Sequence, residues 1–152
     1  MKKKLLIVYH TQGVRTEQLA QAVLKGALSV EETETTLKRA FDTTEHDLLE
    51  ADAIIFGTPE NFGYMSGALK DLFDRTYYKC ENKVDAKPYA LFVCAGNDGT
   101  GAVFNVERIC TGLKLKKVFE PVIAVKVNSP EILAKGEEMG ATLAAGIAYG
   151  IF

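Results

Sequence analysis

The sequence predicts an α/β fold: a doubly wound, five-stranded parallel sheet in the order 2-1-3-4-5, with helices on both faces. Three observations carry that expectation. Wholly apolar runs recur along the 152-residue chain, the pattern of strands covered on both sides. Segments with apolar residues at helical spacing separate those runs, and strict alternation of β and α elements implies a parallel sheet. Glycine-rich turns follow the first, third and fourth runs, the edge at which such a sheet opens its ligand crevice. A closed barrel of such units needs about 250 residues, so the open sheet fits this length better.

The elements follow in order. Lys4 to Tyr9 is the first strand, and Thr16 to Leu28 a helix with Leu19, Val23, Gly26 and Ala27 on one stripe. Thr35 to Ala40 is a short second strand with weak alternation. Thr43-Thr44, followed by Glu45 and Asp47, reads as a helix start leading into Leu48 and Leu49. Ala53 to Phe56 is a fully apolar third strand ending at Gly57-Thr58-Pro59, and the helix from Ser66 to Tyr77 places Leu69, Leu72, Phe73 and Thr76 on one side. Tyr89 to Ala95 is the fourth strand. Val106, Ile109, Cys110 and Leu113 mark a fourth helix, and Val118 to Val127 the fifth strand. Ser129-Pro130-Glu131 then supplies an N-cap and first turn for a final helix. The small-residue run Gly140 to Gly150 lets that helix sit close to the sheet or to another subunit.

Composition narrows the function classes. Hydrophobic residues are 47% and charged residues 25% of the chain, a globular balance. No linker, repeat or low-complexity stretch interrupts it, so residues 1–152 read as one domain. A net charge of -2 and a pI near 5.7 give no basic face for nucleic acid. Cys80, Cys94 and Cys110 lack C-x-x-C spacing and read as free thiols in a reducing cytosol. Lys2, Lys3 and Lys4 precede an apolar run of only five residues, Leu5 to Tyr9, which is shorter than a signal-peptide core. The charge-free stretch from Met139 to Phe152 is fourteen residues, too few to span a bilayer core of roughly 30 Å. A cytoplasmic protein without a membrane segment is the expectation. No His/Cys/Asp cluster has ligand spacing, so no metal is expected.

Chemistry is therefore sought in three loops. The first is His10-Thr11-Gln12-Gly13-Val14-Arg15-Thr16, where two hydroxyl residues bracket a turn that opens a helix. Backbone amides at a helix N-terminus, reinforced by the dipole, suit a phosphate monoester, and Arg15 adds a cation. The alternative is that Thr16 is only an N-cap and Arg15 a surface charge. The glycine pattern fits neither a dinucleotide-binding nor a P-loop motif. The second loop, Gly57 to Gly67, holds Phe62 and Tyr64 near its tip; exposed aromatics there ask for a planar partner, unless they fold back onto the core. The third, Ala95-Gly96-Asn97-Asp98-Gly99-Thr100-Gly101, offers peptide groups to the edge of a heterocycle, or is a flexible connection. Phosphate, aromatic and amide functions after strands 1, 3 and 4 together match the needs of flavin mononucleotide (FMN).

These residues resemble a family. Thr11-x-x-x-x-Thr16 after the first strand resembles the flavodoxin phosphate loop T-x-T-G-x-T. The run G-T-P-x-x-F-G-x-M-S-G-x-L-K, from Gly57 to Lys70, is similar to the flavin loop of the tryptophan-repressor-binding-protein (WrbA) type NAD(P)H:quinone oxidoreductases. The resemblance covers the chain to about Gly101; beyond that it rests on the order of elements. It implies a flavodoxin-like fold in which Thr11, Gln12, Gly13, Val14, Arg15 and Thr16 hold the FMN phosphate. It implies that Thr58, Pro59, Asn61, Phe62 and Gly63 line the ribityl chain and ring, and that Ala95, Gly96, Asn97, Asp98 and Gly99 meet the pyrimidine side. Glu60 and Asp98 join the site by setting the charge around the ring. The chain departs from the family in carrying Gly13-Val14 where Thr-Gly is usual, in lacking the quinone reductases' long insertion after the fourth strand, and in lacking their histidine-bearing segment before the last helix.

Two functions fit, and a third does not. An FMN-dependent oxidoreductase would take electrons from NADH or NADPH and pass them to a quinone or other small acceptor, the cofactor performing the chemistry. A flavodoxin-type carrier would instead dock to redox proteins, for which a strongly acidic rim is usual; the small net charge speaks against it. A phosphoacceptor receiver needs acidic residues where Tyr9-His10 and Gly57-Thr58 stand. His10 and Cys94 lie at strand ends near the site and read as structural groups, and His46 as a surface residue.

Overall fold

The computed structural model describes residues 1–152. Its elements are β1 (Lys3–Tyr9), α1 (Arg15–Leu28), β2 (Thr33–Arg39), α2 (Glu45–Glu50), β3 (Ala53–Asn61), β4 (Tyr64–Met65), α3 (Gly67–Cys80), β5 (Pro88–Ala95), α4 (Thr100–Gly112), β6 (Lys116–Lys117), β7 (Val122–Val125) and α5 (Pro130–Ala148). The strands β2, β1, β3 and β5 lie side by side in parallel, with β6 and β7 both on the outer edge of β5. This is the 2-1-3-4-5 order read from the sequence, with β5 as the fourth strand. Register brings Tyr9 beside Arg39 and Gly57, Gly57 beside Phe92, and Ala95 beside Val125. All the carboxyl ends therefore reach one edge.

The apolar runs are continuous because both faces are buried. Leu6, Val8, Ile54, Phe56, Leu91 and Val93 face α3 and α4 through Leu69, Leu72, Phe73 and Val106. Their alternates Leu5, Ile7, Ile55 and Phe92 face α1 and α5 through Leu19, Val23, Met139 and Leu143. The helix starts read from the sequence are present. Ser66 Oγ accepts the Leu69 amide at 3.2 Å, Ser129 Oγ accepts the Ile132 amide at 3.2 Å, and Thr44 forms a capping box with Asp47.

Two elements differ from expectation. The fifth strand, expected over Val118 to Val127, is two short pieces; the chain leaves the ladder between them and rejoins it at Val122. Pro121 has no amide to donate and restricts the residue before it, which accounts for the gap. Likewise β3 does not stop at Phe56 but runs to Asn61 and returns as β4, pairing Glu60 with Met65 and Asn61 with Tyr64. The intervening Phe62 and Gly63 have φ of +52° and +73°, the left-handed pair that a two-residue hairpin of matching twist needs.

The small residues of α5 serve α1 within the chain. A Cβ on Gly140 would stand 1.9 Å from the Val23 carbonyl oxygen, and one on Gly26 would stand 1.9 Å from that of Glu137. The helices thus touch backbone to backbone. Gly140→Ala is expected to lower stability by about 1–3 kcal/mol through overpacking, read as a fall in the denaturation midpoint. Gly67→Ala, whose added methyl meets nothing within 4 Å, is expected to leave it unchanged or slightly raised.

Candidate cofactor site

Gln12, Gly13, Val14, Arg15, Thr16, Pro59, Glu60, Cys94 and Gly96 line one cleft of about 260 Å³. The three loops singled out in the sequence meet there because β1, β3 and β5 end side by side. A second, aromatic groove of about 350 Å³ lies between α3 and α4, lined by Tyr64, Lys70, Tyr77 and Arg108 among others.

The first turn of α1 stands open. Its N-cap is Val14, whose side chain cannot accept a hydrogen bond, rather than Thr16, which is buried as the second residue of the helix. The amides of Val14, Arg15, Thr16 and Glu17 meet no acceptor in the protein; the ladder begins with Gln18 donating to the Val14 carbonyl at 2.9 Å. The other helices differ: α2, α3 and α5 carry Thr44, Ser66 and Ser129 as caps, and the first amides of α4 are taken by Glu60 and Asp98. Thr11 steadies the turn, its hydroxyl donating to the Gly13 carbonyl at 2.7 Å and accepting the Gly13 amide at 3.4 Å.

Arg15 is more than a surface charge. Its guanidinium donates to the carbonyls of Ala124 at 2.7 Å and Ala95 at 3.4 Å, tying α1 to the ends of β7 and β5. Its Nε is buried without a partner. Asn128 completes this anchor by donating to the Arg15 carbonyl at 2.8 Å and to Gln18 Oε1 at 3.2 Å. Sequence reasoning missed Asn128, although its place just after the last strand was a signal.

The second loop is a rigid hairpin. Thr58 is fully buried; its Oγ1 accepts the Ser66 amide at 2.9 Å and donates to the Pro59 carbonyl at 2.8 Å, closing the base. Thr58 therefore shapes the loop from within. Asn61 donates to Gln12 Oε1 at 2.8 Å and joins the hairpin to the first loop. Phe62 is fully exposed in a left-handed conformation, uncommon for an aromatic residue. Glu60, partly buried, turns both carboxylate oxygens onto α4. In the third loop Gly96, Asn97 and Asp98 are exposed and Ala95 and Gly99 buried. The amide and hydroxyl of Thr100 donate to Asp98 at 3.0 and 2.8 Å, holding the Asp98 carboxyl below its ordinary value.

Two neighbours have shifted protonation. Burial, and then the charge of Arg39, lower the pKa of His10, so its imidazole is neutral at pH 7; the ring stacks edge-on against the exposed Phe41 with centroids 5.7 Å apart. Burial raises the Cys94 thiol, more than its bond to Thr16 and the charge of Arg15 lower it. Cys94 is thus a protonated thiol on the cleft floor, not a nucleophile. No group of three or more His, Cys, Asp or Glu side chains is placed to hold a metal ion.

The parallel order β2-β1-β3-β5 with an outer fifth strand and helices on both faces is that of a flavodoxin-like protein, and the open start of α1, the exposed Phe62 and the exposed Gly96-Asn97-Asp98 segment stand at its carboxyl edge. The sequence profile of the family described as NADPH-dependent FMN reductase matches residues 6–128. The chain belongs to that family, and FMN is the cofactor of the family. A protein named flavodoxin from Aquifex aeolicus is 35% identical over 98 residues, 64% of this chain and 53% of that protein; the match thus spans about half the length of that curated relative. Among solved structures, a flavodoxin from the domain Archaea superposes with a TM-score of 0.82 at 18% identity, covering 95% of this chain and 98% of the other. A WrbA-like flavodoxin from Agrobacterium tumefaciens gives 0.76 at 22% identity, covering 98% and 99%. At these identities the structures bear on fold alone.

Two outcomes test the anchor and the shifted imidazole. Arg15→Met, measured without cofactor, is expected to cost about 1–3 kcal/mol of stability because two carbonyls lose a charged donor; unchanged stability would leave Arg15 with no structural role. The His10 imidazole, followed by NMR, is expected to titrate below the ordinary value of about 6.5. With its folded pKa depressed, stability is full above the unfolded value and falls with pH through the folded one.

Proposed function

We propose that residues 1–152 form an FMN-binding unit that oxidises NAD(P)H and passes the electrons to a quinone or other small acceptor, in the cytoplasm. The observation that carries the cofactor reading is the run of four unpaired amides from Val14 to Glu17, of which Val14, Arg15 and Thr16 line the cleft. An unsatisfied helix start is an anion site, and a phosphate monoester fills it. The partnerless Arg15 Nε beneath adds positive potential.

Each loop then has one task. Thr11, Gln12, Gly13, Val14, Arg15 and Thr16 surround the phosphate, chiefly through backbone amides. Thr58, Pro59, Asn61 and Gly63 shape the wall beside the ribityl chain, and Phe62 offers its free face to the ring. Of Ala95, Gly96, Asn97, Asp98 and Gly99, the exposed Gly96, Asn97 and Asp98 present peptide groups to the ring's polar edge, while Ala95 and Gly99, bonded within the protein, hold the loop at its two ends. When bound, FMN supplies the ability to accept a hydride and release electrons singly or in pairs. The chain's own residues bind, orient and tune it; none is asked to move a proton.

NAD(P)H dependence is supported by the family description and by a net charge of only -2, too little for the steering field of a carrier. A second reading, a carrier that docks to redox proteins, is supported by the similarity to a protein named flavodoxin and by the exposed Phe41 and Phe62. The purified chain is expected to bind FMN at micromolar concentration, and riboflavin about 100-fold or more weakly, since the phosphate contacts are worth about 3 kcal/mol. Equal affinity for the two would remove the helix start from the site. Oxidation of NADPH or NADH with a quinone acceptor is the expected activity; flavin binding without it selects the carrier.

A further inference from the structure

Glu60 lines the cleft, yet its carboxylate is committed to α4. Oε1 accepts the Gly99 amide at 3.3 Å and Oε2 accepts the Ala102 amide at 3.1 Å, bonds that join residues 39 and 42 positions apart. A carboxylate on the first turn of a helix is held by charge-assisted bonds and by the dipole. Beside it the hairpin and the helix touch backbone to backbone: a Cβ on Gly101 would stand 2.0 Å from the Gly63 carbonyl oxygen. The Phe62–Gly63 turn and the loop preceding α4 are therefore one body.

We propose that Glu60 is a positioning residue, a strut that locks the Phe62–Gly63 turn to the Gly96–Gly99 loop and so sets the slot between them that receives the flavin ring. The proposal rests on the FMN reading above. The Phe62 ring is fully exposed, so no packing holds it; its backbone alone sets the direction in which the side chain leaves the turn. A left-handed aromatic residue persists only where its surroundings over-determine it. Here those surroundings are the β3–β4 pairing, the Asn61–Gln12 bond and the Glu60 strut. With both oxygens engaged on α4, Glu60 acts on the ring through the two loops.

The test is a double-mutant cycle on FMN affinity, with amide exchange of the cofactor-free protein as an independent readout. Glu60→Ala is expected to remain folded by circular dichroism and a cooperative melt. Its Gly99 and Ala102 amides are expected to exchange about tenfold faster or more, and its FMN dissociation constant to rise about 10- to 100-fold. Glu60→Gln, which keeps one acceptor, falls between; should Glu60→Ala not fold, it carries the same test. Because Glu60 acts partly through Phe62, the loss in Glu60→Ala/Phe62→Ala is expected to be smaller, by about fivefold or more, than the product of the single losses. A dissociation constant within about twofold of the unaltered chain's, unchanged exchange, or single losses that multiply fully would each overturn the strut while leaving the cofactor reading standing. If the unaltered chain failed to bind FMN, the cofactor reading would fall and the positioning role with it.

Discussion

The parallel register of β1, β3 and β5 governs the rest of the molecule. It sends the loops after three adjacent strands to one edge, where Gly57 stands between Tyr9 and Phe92. Burial of both faces holds that register, because a slip of one residue would turn Leu5, Ile7 and Ile55 from one helical layer to the other. The backbone contact of α1 with α5 matters for the same reason. It fixes the axis of α1 against the sheet and hence the place where its first turn opens.

The helices divide into those closed by the chain itself and the one left open. Thr44, Ser66 and Ser129 cap α2, α3 and α5, and Glu60 with Asp98 closes α4. Only α1 begins with no side chain taking its first amides, and it is held there by Arg15 and Asn128 from behind. The protein thus uses its cation to place the helix, while the amides face the cleft. Gly13-Val14 in the first loop reads naturally in this light: with Val14 as N-cap, no side-chain oxygen competes for the amides.

Much of this was legible in the sequence, for physical reasons that also mark the limit. Strands buried on both faces announce themselves as unbroken apolar runs, and Ser66 and Ser129 stand where caps belong, so element order and strand order followed. The split of the fifth strand was written in Pro121, outweighed by the valines around it. The hairpin at Asn61 to Tyr64 was not legible, because Phe62-Gly63 lacks the Asn or Asp that usually marks a left-handed pair. Convergence of the three loops was legible from strand order alone. What the residues do within them was not: Arg15 meets Ala124 across 109 positions and Glu60 meets Ala102 across 42, and no local pattern records such pairings. The sequence marks both as site residues, and the structure shows their side chains bonded to the frame of the cleft.

The central claim is that the open first turn of α1 receives the phosphate of FMN, and one measurement addresses it directly. In a two-dimensional amide NMR titration of the isotopically labelled chain with FMN, the amides of Val14, Arg15, Thr16 and Glu17 are expected to show the largest downfield shifts and the strongest new protection from exchange, followed by Gly96 to Gly99. FMN shifts that spare the first turn of α1, or that gather at the aromatic groove of Tyr64, Tyr77 and Arg108 between α3 and α4, would contradict it.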